Sequence, residues 1–91
     1  MIEHEVLKAA IDRYGAKAQE GVAMEECAEL IQAISHKHRG RQHNIAEEIA
    51  DVEIMLEQLK IINDCEDEVE IIRLIKVDRL RYRLKGDNAD D

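Results

Sequence analysis

Apolar residues return every three or four positions along most of this chain, and the rhythm is interrupted in three short stretches. Val6, Leu7, Ala10, Ile11 and Tyr14 make the first stripe and predict a helix from about Ile2 to Lys17. Gly15 and Gly21 then loosen the way into a second helix, expected over roughly Val22 to Lys37 and closed by Gly40. Asn44, with Glu47 three positions later, has the spacing of an N-cap and capping box. It opens a third helix, about Ile45 to Ile62, whose stripe is Ile45, Val52, Met55, Leu59 and Ile62. Asn63 and Asp64 supply turn chemistry before a fourth helix from about Glu66 to Leu84. The expected fold is all-α, a four-helix bundle.

Acids intrude on two of these stripes. At about 100° per residue, Glu48 and Asp51 fall among the apolar residues of the third helix, and Glu26 and Glu29 fall among Val22, Leu30 and Ala33 of the second. Members of each pair are three positions apart, so they share a helix face. A purely solvating acid face would point the other way. Desolvation and mutual repulsion both raise the energy of carboxylates gathered beside hydrocarbon. A divalent cation compensates this most simply, and Mg²⁺ prefers oxygen ligands, which it shares with water and substrate phosphates.

Short connections make the second and third helices antiparallel neighbours, which turns the two acidic blocks toward each other. Both blocks lie in the first halves of their helices. In a strict hairpin their levels differ by roughly 15 Å at about 1.5 Å of rise per residue. They meet only if the connection is extended, the second helix bends or breaks between His36 and His43, or another subunit contributes.

Composition narrows the class. The chain has 91 residues, 45% hydrophobic and 37% charged, with no proline and two aromatic rings, Tyr14 and Tyr82. This is the profile of one small domain of long helices, with residues 86–91 as an acidic flexible tail beyond a domain of residues 1–85. So short a chain has little stability to spare for buried charge, so homo-oligomerisation is expected to complete its core. A net charge of -8 argues against DNA or RNA as a partner. Two cysteines, with neither a signal peptide nor a membrane-length apolar run, point to a reducing cytoplasm and no membrane partner.

Positive charge is local. Lys76, Arg79 and Arg83 recur at helical spacing, and His36, Lys37, His38, Arg39, Arg41 and His43 cluster around the second connection. Carboxylates for a metal and cations for oxyanions are the components of a polyphosphate site. The histidines fit a solvated connection better than a Mg²⁺ site, which disfavours nitrogen. Cys27 is expected to be a small core residue and Cys65 a helix-start residue, with Met24 and Met55 as packing.

Taken in order, E-E-x-x-E at Glu25, Glu26 and Glu29, E-x-x-D at Glu48 and Asp51, and K-x-x-R at Lys76 and Arg79 resemble the MazG-like all-α nucleoside triphosphate pyrophosphohydrolases over about Gly21 to Leu84. The resemblance implies a MazG-like bundle assembled as a homodimer or homotetramer. It also implies hydrolysis of the α-β phosphate bond of a (d)NTP to the monophosphate and pyrophosphate. Carried over by position, Glu26, Glu29, Glu48 and Asp51 would bind Mg²⁺, with Mn²⁺ as a substitute, and Glu25 would be an accessory acid or water-positioning group. Lys76, Arg79 and, by its place on the same stripe, Arg83 meet the phosphates. With neither Trp nor Phe in the chain to stack on, the base is left open.

Two functional classes follow. The first is a Mg²⁺-dependent nucleotide pyrophosphohydrolase, a catalyst needing no nucleophilic side chain because a metal-activated water attacks. The second is a non-catalytic helical module for oligomerisation or regulation, in which the acids are exposed helix charge and the basic stripe complements the end of the fourth helix.

Overall fold

A computed structural model describes residues 1–89, and these form four α-helices: α1 Glu3–Tyr14, α2 Ala16–His38, α3 Ile45–Ile62 and α4 Glu66–Ala89. The third helix has the limits its stripe predicts. The second does not. It begins six residues earlier than expected, because Ala16, Lys17, Ala18, Gln19 and Glu20 are good helix formers and a single glycine within a helix costs only about 1 kcal/mol. Gly21 therefore sits inside α2, and α1 stops at Tyr14, short of the expected Lys17.

Gly15 alone makes the first corner. Its φ of +93° and ψ of 146° belong to a region open essentially to glycine, and its amide still closes α1 by donating to Ile11 O at 2.8 Å. The other two corners share one device. At the end of α2, Gly40 takes a φ of +69°, its amide donates to Lys37 O at 3.1 Å, and the Arg41 amide donates to His36 O at 2.9 Å. These are the paired bonds of a Schellman motif. At the end of α3, Asp64 takes the left-handed position at φ +49°, with Asp64 N–H to Ile61 O at 3.2 Å and Cys65 N–H to Lys60 O at 3.1 Å. An acid tolerates that conformation less well than glycine.

Packing is concentrated between α2 and α3, with α1 against both. Ala23 and Ala33 on α2 and Val52 and Met55 on α3 are the buried apolar residues. Small side chains on α2 let the two axes approach closely, and burial of Val52 and Met55 contributes roughly 1.5–3 kcal/mol each. Leu7, Ala10 and Ile11 of α1 are half-buried, whereas Val6 and Tyr14, expected on the same stripe, are largely exposed. Two further expectations fail in this core: Met24 and Cys27 face outward from α2, since the buried arc of that helix runs through Ala23, Glu26, Leu30 and Ala33. Cys65 does stand at the start of α4, accepting the Val69 amide at 2.9 Å.

Helix α4 stands apart. Among the helices its backbone approaches only α3, and every one of its residues from Glu66 to Asp87 is exposed. His4 Nε2 reaches Glu66 Oε1 at 3.6 Å across the open side, an exposed pair of little energetic weight. The result is an elongated molecule of 55 × 37 × 23 Å with a radius of gyration of 17.0 Å, where a compact chain of this length has about 12 Å. The helix also continues past the expected Leu84, so the supposed tail from Gly86 is helical as far as Ala89, and Asp90 and Asp91 lie outside the described residues.

Candidate metal centre

Three carboxylates from two helices converge on the α2-α3 seam. One oxygen each from Glu26, Glu29 and Glu48 lies within 4.8 Å of the other two. Glu48 is buried, with 7% of its surface exposed, Glu26 is half-buried and Glu29 opens to solvent. The cluster therefore has a dry floor and a wet mouth.

Its existence depends on the connection. From Glu29 to the end of α2 is about 14 Å of helix, while Glu48 is only about 4–5 Å from the start of α3. Residues 39–44 take up the difference by running back along α2 for roughly 9 Å, well within the reach of six residues. Helix α2 is unbroken to His38 and the trio lies within one chain, so the cluster forms without a break in α2 or a second subunit. Gly40 starts the return.

Asn44 holds the floor in place. Its side chain makes no capping bond; Nδ2 donates instead to Glu48 Oε1 at 2.7 Å, four residues on. The expected capping box with Glu47 is absent: Asn44 Nδ2 turns toward the buried acid, and Oδ1 accepts no N–H from the first turn of α3. A long contact from the Ile45 amide to His43 Nδ1, 3.4 Å, is what the open end of α3 receives in its stead.

The remaining oxygens have no donors. Glu48 Oε2 and Glu26 Oε2 are buried without a hydrogen-bond partner. Burial first, then the charges of Glu29 and Asp51 with the hydrogen-bonding proximity of Glu29, and last the charge of Glu48, hold the Glu26 carboxyl above its ordinary range. Burial also pushes Glu48 upward; the Asn44 hydrogen bond opposes this, and Glu29 and Asp51 reinforce it. Among the described residues, no Lys, Arg or His forms an ion pair with any of these four acids.

Asp51, half-buried, is near enough to act on both glutamates through its charge but stands outside the close trio. Glu25 is exposed and also outside it. Lys76, Arg79 and Arg83 are on α4, on surfaces shared with Ile72, Val77 and Leu80 or with Ile75, Tyr82 and Gly86, none of which includes the acids. Within one protomer the basic stripe and the carboxylates are not brought together. Two residues went unrecognised in the sequence as parts of this seam. Asn44 is legible afterwards as an amide one turn before Glu48, and Gln58 as a polar residue in the stripe between Met55 and Ile62; Gln58 is 3% exposed with Oε1 unpartnered.

The class these features define is an all-helical protein with a partly buried carboxylate cluster between two packed helices. No family model, characterised protein or solved structure matches the chain. Among the described residues no helix is long and apolar enough to cross a membrane.

Proposed function

We propose that this chain is a Mg²⁺-dependent nucleotide pyrophosphohydrolase of the MazG-like type, cleaving the α-β phosphate bond of a (d)NTP in nucleotide-pool sanitation. The observation that carries the reading is Glu48: a buried carboxylate with one oxygen held by Asn44 and the other orphaned, close to Glu26 and Glu29, with no ion pair to any of the three among the described residues. A hard divalent ion suits this donor set of carboxylate oxygens, with open coordination toward the exposed Glu29. Glu26, Glu29 and Glu48 would hold it, with Asp51 and Glu25 beside them. Bound there, such an ion neutralises phosphate charge and lowers the pKa of a coordinated water.

The chain's own residues have distinct parts in this reading. Glu48 and Asn44 form a fixed oxygen ligand on the floor, and Glu29 is the exposed acid at the mouth. Lys76, Arg79 and Arg83 meet phosphate oxygens in an assembled homodimer or homotetramer, where α4 of one copy is free to approach another. The test is a panel of nucleoside triphosphates incubated with the protein and Mg²⁺, products resolved. Monophosphate and pyrophosphate are expected, and intact nucleotides throughout would refute catalysis.

The separation of the basic stripe from the acids favours one second reading, a non-catalytic helical module for oligomerisation or regulation. That reading expects no turnover, and partner binding that survives Glu48→Ala or Asp51→Ala.

A further inference from the structure

From the charge order along α4 we infer that its exposed face is the docking surface for a second copy of the same helix, lying antiparallel. This deepens the oligomeric part of the reading above and rests on it, and it gives Arg83, one of the three bases assigned there to phosphate, a pairing role between copies instead. The first turns of α4 carry Glu66, Asp67, Glu68 and Glu70 with no base among them. From Arg73 to Lys85 the balance inverts, with six bases (Arg73, Lys76, Arg79, Arg81, Arg83, Lys85) against the single acid Asp78.

Val69, Ile72, Val77, Leu80 and Leu84 share an arc of this helix at about 100° per residue, with the long side chains of Arg73, Lys76 and Arg83 among them, and all five apolar residues are exposed. Val69 borders the cleft between α3 and α4, and among the described helices only α3 approaches α4. A helix in this state needs a covering partner, and charge selects both partner and direction. A parallel copy would set acids against acids and bases against bases. An antiparallel copy sets Glu68 level with Arg83 and Glu70 level with Arg81 on both sides of the twofold axis, while Ile72 meets Leu80 of the other copy. The same end of α4 borders the α3-α4 cleft, whose lining carries Glu53, Glu57, Glu66 and Glu70 against Lys60 and Arg73; Glu57 is paired with Lys60 at 2.7 Å, so Glu53 is the acid α3 adds toward the basic half of the incoming helix. Arg81 is paired with Asp78 of its own helix at 3.0 Å, both side chains exposed, an attachment weak enough to be exchanged.

The experiment is sedimentation equilibrium on the full chain and two charge-reversed variants, Glu68→Lys with Glu70→Lys, and Arg81→Glu with Arg83→Glu. The unmodified chain is expected to self-associate at micromolar concentration, each variant alone to lose at least tenfold in dimer affinity, and an equimolar mixture of the two to recover mixed dimers. Circular dichroism checks that each variant stays helical. A measurement without variants runs beside it: hydrogen-exchange protection of residues 69–84 is expected to rise with protein concentration. A monomeric chain, an assembly indifferent to both reversals, a mixture that stays dissociated, or α4 protection independent of concentration would each overturn the inference. Because the readouts are mass and exchange, failure here is separable from failure to hydrolyse nucleotides.

Discussion

Asn44 Nδ2 donates to Glu48 Oε1 at 2.7 Å, so the residue that begins α3 also fixes the deepest acid of the cluster. Removing an outer partner of a metal ligand costs roughly 10–100-fold in metal affinity. Asn44→Ala is therefore expected to weaken Mg²⁺ or Mn²⁺ binding by that factor, measured by calorimetric titration, while far-ultraviolet circular dichroism stays helical. Unchanged affinity would show that Glu48 needs no such support.

Metal should stabilise the fold. A ligand that binds only the native state at ten times its dissociation constant adds about 1.4 kcal/mol. Millimolar Mg²⁺ or Mn²⁺ is expected to raise the melting temperature of the wild type, and Glu48→Gln to abolish the rise. The amide removes one of the crowded carboxylates, so the metal-free variant is expected to melt no lower than wild type at neutral pH. A preserved metal response in Glu48→Gln would take that residue out of the site.

The raised acids set a pH signature with a definite sign. Unfolded glutamates titrate near about 4.3. Glu26 and Glu48 titrate higher when folded, so between those values the native state holds protons that the unfolded chain has released. Their contribution to stability is complete below the unfolded value and is lost as pH rises through the folded ones. In chelator, the melting temperature of wild type relative to Glu48→Gln is expected to fall as pH rises above about 4.3. A difference that stays flat, or that grows with pH, would contradict the raised titration of Glu48.

Two glycines that look alike in sequence should respond oppositely to alanine. Gly15 has φ +93°, which strains any side chain although space is free, so Gly15→Ala is expected to cost about 1 kcal/mol or more. Gly21 is helical and a Cβ there meets nothing within 4 Å, so Gly21→Ala is expected to gain about 0.5–1 kcal/mol. Urea unfolding of both variants checks the pair, and equal signs would mean the α1-α2 corner is misplaced.

That contrast shows what was legible in the chain. Periodicity placed α3 because its stripe is long and its ends carry strong signals, Asn44 and Asn63. It misplaces the start of α2 because Gly21 reads as a breaker where the neighbouring helix formers outweigh it. Three of the four acids expected on the apolar arcs are there, Glu48 buried and Glu26 and Asp51 half-buried, because helical angle follows directly from spacing, whereas Glu29 is exposed at the edge. Their meeting across the seam was not legible. It depends on residues 39–44 running back along α2, and no local preference in those residues specifies the distance. Nor does sequence spacing tell which side of α4 faces the rest of the chain, so the basic stripe could be found on its helix but not set against the acids.

Gln58 offers the last test, since it lies in the same seam with no chemistry assigned to it. Its side chain is buried and Oε1 has no donor, a condition that ordinarily costs about 1–3 kcal/mol. Methionine has similar length and no polar oxygen. If the protomer's own seam is the whole environment of that atom, Gln58→Met should gain about 1 kcal/mol, or roughly 4–8 °C in melting temperature for a domain of this size. Thermal unfolding at several protein concentrations distinguishes this from the opposite case. A variant that melts lower, and lower still as concentration rises relative to wild type, would show that Oε1 accepts a hydrogen bond supplied by a second copy.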